Sequence, residues 1–252
     1  METRRDGVTG AWTGEAGALL ERAIERHGGW AAWEALTAVT FAPRTMGGMV
    51  PSLKGLGRTF HFPPRIDVYP REVRAVFHDY PAAGQRGVFT AGAVQLLDAG
   101  GGVLAANADA RASFRGLRKW RRWTPADALY FFGYALTHYQ GLPFTLAEGR
   151  PLAIRRARAD GRKLIGVEVE LPPTLHTHCR RQTFYFDDEG LLRRHDYVAD
   201  IIGWMARGAH LWRDFVTAHG VPIPRVRHVV LRLGRMTTPV VALHAELDVA
   251  AS

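Results

Sequence analysis

Histidines, arginines, aspartates and a glutamine crowd into the stretch Pro172–Asp200, PPTLHTHCRRQTFYFDDEGLLRRHDYVAD. General acid/base catalysis needs a group titrating near neutrality, a partner that orients it and a site that keeps water out. His178 meets the first condition. Asp196 or Asp200 can meet the second, because a carboxylate holds an imidazole's tautomer and favours its protonated form. Arg180 can grip a substrate carboxylate or enolate through two parallel hydrogen bonds. Together they describe a site for isomerisation, cyclisation, elimination or hydration without a cofactor, with His195 and Tyr197 as the reserve pair.

Which of these side chains meet depends on a hairpin. Leu175–Asp187 and Leu191–Val198 read as strands, and Asp187-Asp188-Glu189-Gly190 supplies the turn. A three-residue loop with Gly190 left-handed suits that sequence, since glycine takes this backbone without steric cost. Asp187 then lies opposite Leu191. One face holds His176, His178, Arg180, Gln182, Phe184 and Phe186 with Leu192, Arg194, Asp196, Val198 and Asp200. Asp200 faces His178, Asp196 faces Gln182, and Arg180 lies diagonally between the acids. A two- or four-residue loop would put His195 and Tyr197 on that face, because a one-residue slip exchanges the faces.

Other chemistries fit less well. His176 and His178 at i, i+2 on one strand can supply two zinc ligands, but no cysteine cluster or HExxH accompanies them, so no metal is expected. A lone Cys179 flanked by Thr177 and Arg181 reads as a small buried hydrophobe. Two further groups can contribute to a binding site. Asp79 and Arg86, in FHDYP and GQRG, fall at a strand end where they can line the mouth of a cavity. Tyr130 and Tyr134 run along one helix face with His138 and can present hydroxyls to a ligand. Gln182, Phe184 and Tyr197 complete the expected contacts.

Net charge is +9, a value that raises nucleic acid as a partner. The cations are nearly all arginine, with lysine only at 54, 119 and 163, and most are scattered singly through strands. That is the bias of a GC-rich genome, and no nucleic-acid partner is expected. No apolar run approaches the roughly 18 residues of a membrane span. The N-terminus lacks the apolar stretch of a secretory signal, and a single cysteine suits a reducing compartment. Those features point to the cytoplasm.

The elements that must hold this site follow in order. Gly14–His27 is amphipathic, with Thr13 as a cap and His27 at the C-terminal end. Short strands follow at Thr37–Thr45, Leu56–Phe62, Ile66–Tyr69, Val73–Phe77, Arg86–Phe89 and Ala93–Leu97, with a hairpin at Gly100–Gly102. Ala110–Trp123 and Thr124–Gly141 read as a helical pair, the second with Thr124 as cap and Pro125 at the first helical position. Strands resume at Ala153–Ala157, Leu164–Leu171, Ala209–Val216 and Val226–Leu233, and Val240–Val249 closes the sheet's edge. Tight spacing without intervening helices demands antiparallel pairing. The expected fold is α+β: an incomplete β-barrel of about ten antiparallel strands, its concave face plugged by the N-terminal helix and the mid-chain pair. Residues 1–252 form one domain, with 1–13 as a disordered tail.

His27-Gly28-Gly29-Trp30 ending the first helix, the mid-chain helices, FYFDDEGLLRRHDY, and Asp214-Phe215 leading to Gly220-Val221-Pro222-Ile223-Pro224 form a pattern by which the chain resembles the LolA/LolB-like lipoprotein-carrier superfamily. More closely it is similar to soluble bacterial proteins with FHDYP, GQRG, THCRRQ and RRHDY motifs. The resemblance implies a half-barrel with a ligand cavity and, in the carriers, acyl-chain binding. Ionisable residues on the central strands favour another expectation. That is a cofactor-independent isomerase, cyclase or lyase of small-molecule metabolism acting on a hydrophobic molecule with a carboxylate or carbonyl. The alternatives are a non-catalytic carrier of a lipid or similar ligand, and an interaction module with a filled core.

Overall fold

Apolar residues alternating with polar ones, with turn formers between, produce, among the described residues, thirteen strands that hydrogen-bond into one antiparallel sheet. The computed structural model describes residues 10–58 and 61–251, the last without its side chain. The first six strands are β1 (Val39–Gly47), β2 (Arg65–Tyr69), β3 (Arg74–His78), β4 (Arg86–Thr90), β5 (Ala93–Leu97) and β6 (Val103–Asn107). The rest are β7 (Arg150–Ala159), β8 (Arg162–Glu170), β9 (Arg181–Phe186), β10 (Leu192–Val198), β11 (Arg207–Ala218), β12 (Val221–Leu233) and β13 (Met236–Ala251). Among the described residues, four α-helices accompany them: α1 (Gly14–Arg26), α2 (Gly29–Ala35), α3 (Met49–Lys54) and α4 (Pro125–Gln140).

Across the sheet the order is β6-β5-β4-β3-β2-β1-β13-β12-β11-β10-β9-β8-β7. Two meanders therefore meet where β1 pairs with β13. The sheet is curved: α4 packs on β3, β4 and β5, yet it also shares a cavity wall with residues of β10, β11, β12 and β13. A flat sheet could not reach one helix from strands so far apart. Among the described residues, no helix is long and apolar enough to cross a membrane.

Several expectations need correction. Among the described residues there are thirteen strands rather than about ten. The last strand is not an edge; β13 lies at the centre, between β12 and β1. Within Leu56–Phe62, Leu56 makes an isolated bridge, and the described remainder is irregular. Ala110–Trp123 is not a helix. It forms two 3-10 turns, Ala110–Phe114 and Gly116–Trp120, separated where Gly116 adopts φ +58°.

The first helix buries Leu19, Leu20, Ala23 and Ile24, as its spacing predicts, but Thr13 makes no side-chain capping bond. His27 bonds the Ala23 carbonyl through Nδ1 at 2.7 Å. Burial drops its pKa to about 4, so the ring at the helix end is neutral rather than cationic. Residues 1–9 of the expected tail lie outside the described residues. Beyond them Trp12 is buried, and its indole N–H donates to the Gly149 carbonyl at 2.9 Å.

Candidate functional site

The helix α4 begins with a reciprocal cap: Thr124 Oγ1 accepts from the Asp127 N–H while the Asp127 carboxylate accepts from the Thr124 N–H. Every residue from Asp127 to Gln140 is buried, so the helix is enclosed on all sides. Gly133 lets it approach β4, for a Cβ there would stand 2.5 Å from the Cβ of Phe89. Facing away from that contact, Phe131, Phe132, Ala135, Leu136 and Tyr139 line a cavity of about 50 Å³.

The opposite wall is the curved sheet: Phe41 of β1, Ile66 of β2, Leu243, Ala245 and Leu247 of β13, and Val229 of β12. Four polar side chains join this otherwise apolar lining: Tyr139, Tyr197, His210 and Arg227. They form one patch. The Tyr139 ring lies 4.8 Å from that of His210 and 5.3 Å from the Arg227 guanidinium. At the rim, Met46 and Phe62 are half-buried and also border an open groove lined by Pro43, Leu56 and His61.

Behind the patch lies an imidazole and phenol cluster, and here the hairpin decides the chemistry. Its turn is as expected: Gly190 adopts φ +90°, and the Asp187 N–H donates to the Leu191 carbonyl at 3.0 Å. Leu192 pairs with Phe186, but the register then shifts, so Arg194 pairs with Tyr185, His195 with Phe184 and Asp196 with Thr183. A bulge at Arg193 has moved every later side chain to the other face. The Arg193 side chain is held by the Asp187 carboxylate at 2.7 Å. The expected strand Leu175–Asp187 is also shorter, because 172–180 form an irregular segment that carries His178 into the core and leaves His176 half-buried.

The proposed acid/base pair is therefore absent. His178 is fully buried, with Nδ1 2.9 Å from the Tyr134 hydroxyl, Nε2 2.5 Å from the Tyr139 hydroxyl, and its ring stacked on Tyr197. Burial holds its pKa well below the usual value, so it stays neutral with both nitrogens occupied. Asp196 lies on the far face, where its buried carboxylate takes both Nε and Nη2 of Arg194 and a contact from Arg232 at 3.2 Å. Asp200 gives its N–H to the His178 carbonyl, but its half-exposed carboxylate points to Arg111, 3.7 Å away. Burial raises the Asp200 pKa. Arg180 is solvent-exposed, beside Glu170 at 3.7 Å.

The reserve pair fares no better as a catalytic site. His195 is enclosed, bonded through Nε2 to Gln182 Oε1, stacked on Phe184 at 4.5 Å and held neutral by burial. Gln182 is itself committed, donating to Thr177 Oγ1 and the Cys179 carbonyl. Tyr130 approaches Arg111, and Tyr134 is bonded to His178; neither lines the cavity. Asp79 accepts from the Gly84 N–H in the turn after β3, and Arg86 is exposed on β4, so neither guards a cavity mouth. Of the residues singled out in the sequence, only Tyr197 reaches the cavity wall. Arg227 and His210 were missed. Arg227 sits in a strand that also carries Arg225 and Arg232, and nothing local marks the buried one. Among the described residues, no group of three or more His, Cys, Asp or Glu is placed to hold a metal ion.

No family model and no curated protein sequence matches the chain. Its fold is nonetheless shared. A domain described as an outer membrane lipoprotein-sorting protein, from Vibrio parahaemolyticus, superposes with TM-score 0.51 over 93% of this chain and 91% of its own, at 11% identity. A LolA superfamily protein from Nitrosomonas europaea gives 0.49 over 94% and 92%, also at 11% identity. A DUF1329 family protein from Desulfovibrio piger gives 0.46 over 94% and 92%, at 13% identity. The chain shares the fold of the Vibrio domain, in keeping with the half-barrel that the resemblance implies. The dispersal of His178, Asp196 and Arg180 corrects the expectation of an acid/base enzyme built on them.

Proposed function

We propose that the protein binds a hydrophobic ligand between α4 and the curved sheet and does not convert it. The observation that carries this reading is the cavity itself. Its wall is apolar on both sides apart from the patch of Tyr139, Tyr197, His210 and Arg227, and all four of those side chains are buried. The lipoprotein-sorting description of the Vibrio domain points the same way. In this reading α4 is the plug of the hollow, whereas α1 packs beside β7 at one end of the sheet.

Each methylene of an acyl chain moved from water into such a space contributes about 0.8 kcal/mol. Small-molecule sites usually measure about 300–1,000 Å³, so a cavity of about 50 Å³ must enlarge to admit a chain. Met46, Phe62 and Leu243 are the lining side chains that retain partial exposure, and their displacement opens the space with least disturbance of the core.

Titration calorimetry with 1-dodecanol tests the reading. Saturable one-to-one binding with a negative heat-capacity change is expected. Ala135→Phe, which fills the cavity from α4, should abolish it while the far-UV circular dichroism remains. Absence of saturable binding by wild type, or full binding by the filled variant, would refute the assignment of the ligand to this space.

A further inference from the structure

Arg227 reaches the cavity wall from β12 and is only 3% exposed. None of Nε, Nη1 and Nη2 has a hydrogen-bond partner. The rings of Tyr139, Trp212 and Phe41 stand 5.3, 5.4 and 5.6 Å from its guanidinium carbon. Aromatic faces soften the burial of a cation but offer no acceptor for its N–H groups. Beside it, His210 leaves both ring nitrogens without partners. Burial lowers the guanidinium pKa to about 10, so it stays charged at neutral pH, while burial and the charge of Arg227 keep His210 neutral.

A charge buried without its counter-ion is among the least favourable arrangements a protein interior can hold. Here the charge borders a cavity, so a molecule from outside can supply the missing anion. We infer that Arg227 and His210 form the recognition site for the carboxylate of a long-chain carboxylic acid whose hydrocarbon tail fills the apolar cavity. The inference rests on the binding reading above and adds the ligand's head group.

The chemistry favours a carboxylate over a phosphate. Arg227 is the single charged residue among those lining the cavity. One guanidinium matches one carboxylate, both in charge and in the geometry of two parallel N–H···O bonds. A neutral imidazole carries one N–H, which can reach a remaining lone pair. A phosphate monoester carries between about one and a half and two negative charges at neutral pH, and its excess would stay unpaired. The tail then runs between the Phe131–Leu136 face of α4 and the Leu243–Leu247 segment of β13 toward the rim.

Three probes of equal chain length decide the matter by titration calorimetry at pH 8 with the full chain: dodecanoate, 1-dodecanol and dodecyl phosphate. Wild type should bind dodecanoate at least tenfold tighter than dodecanol, and tighter than dodecyl phosphate. Arg227→Met should lose at least tenfold for dodecanoate yet hold dodecanol within about threefold. Because the wild-type ratios need no variant, they decide the question even if Arg227→Met fails to fold. Equal affinities for acid and alcohol would overturn the head-group assignment while leaving the apolar binding reading intact. Preference for dodecyl phosphate would overturn the carboxylate. If none of the three binds, both the assignment and the binding reading fall.

Discussion

His178 lies flat against Tyr197, ring centroids 3.9 Å apart and planes 9° apart, while two tyrosine hydroxyls from α4 engage its nitrogens. The imidazole thus joins helix to sheet instead of serving a substrate. His178→Ala would open a void and strand the hydroxyls of Tyr134 and Tyr139 in the interior. A loss of roughly 3 kcal/mol or more is expected in urea unfolding. A loss below about 1 kcal/mol would show that the tyrosines find other partners and that the bridge is dispensable.

The buried histidines make stability fall in acid. Burial lowers the pKa of His138 to about 3 and of His27 to about 4, and holds those of His178, His195 and His210 well below 6.5. The unfolded chain takes up these protons near pH 6.5, and the folded chain does so only at much lower pH. Their contribution is therefore complete above pH 6.5 and is lost as pH falls toward the folded values. Each group changes stability by about 1.4 kcal/mol per pH unit in that window. All five act in the same direction, so acid weakens the fold through each of them. Thermal unfolding followed from pH 7.5 to 4.5 should show a steep drop starting near 6.5. A flat profile would mean that the rings are protonated in the fold.

Gly133 is where α4 meets β4. An added Cβ would overlap both Cβ and Cγ of Phe89, atoms too near the backbone to swing away. Gly133→Ala improves helix propensity by about 1 kcal/mol but overpacks a tight contact at about 1–3 kcal/mol. A net decrease in melting temperature is expected. An increase would show that helix and sheet can separate without cost.

Asp196 holds two buried or nearly buried guanidinium groups, those of Arg194 and Arg232, on the face away from the cavity. Asp196→Ala leaves both without their carboxylate and should cost about 3–5 kcal/mol. Dodecanol affinity should stay within about threefold, because the residue does not touch the cavity. Loss of binding with unchanged stability would contradict this division of the two faces.

These residues also show what the sequence could and could not reveal. Thr124, Pro125 and Asp127 mark the start of α4 through local chemistry, and Gly190 marks its turn through backbone freedom, so both are legible. The bulge at Arg193 is not, because its arginine is stabilised by Asp187 and Phe215, one of which arrives from another strand. That single extra residue exchanges Asp196 for His195 and removes the expected dyad. Alternation in HTHCRRQ imitates a strand, yet the segment turns inward to place His178 under α4. Arg227 becomes distinctive only when α4 and the curved sheet close over it, and no neighbour in sequence reports that. The pairing of β1 with β13 likewise joins residues about two hundred positions apart.

That central seam has a consequence for how the molecule is assembled. β1–β6 and β7–β13 can each zip up through neighbouring hairpins, which are short-range and quick to form. The junction between them waits until β13, some two hundred residues after β1, has been synthesised. During translation the first meander therefore stands with β1 unpaired on one side, an open template for wrong partners. Completion comes when residues 236–251 clear the ribosome and slot in beside it, a late step on which the closing of the whole wall depends.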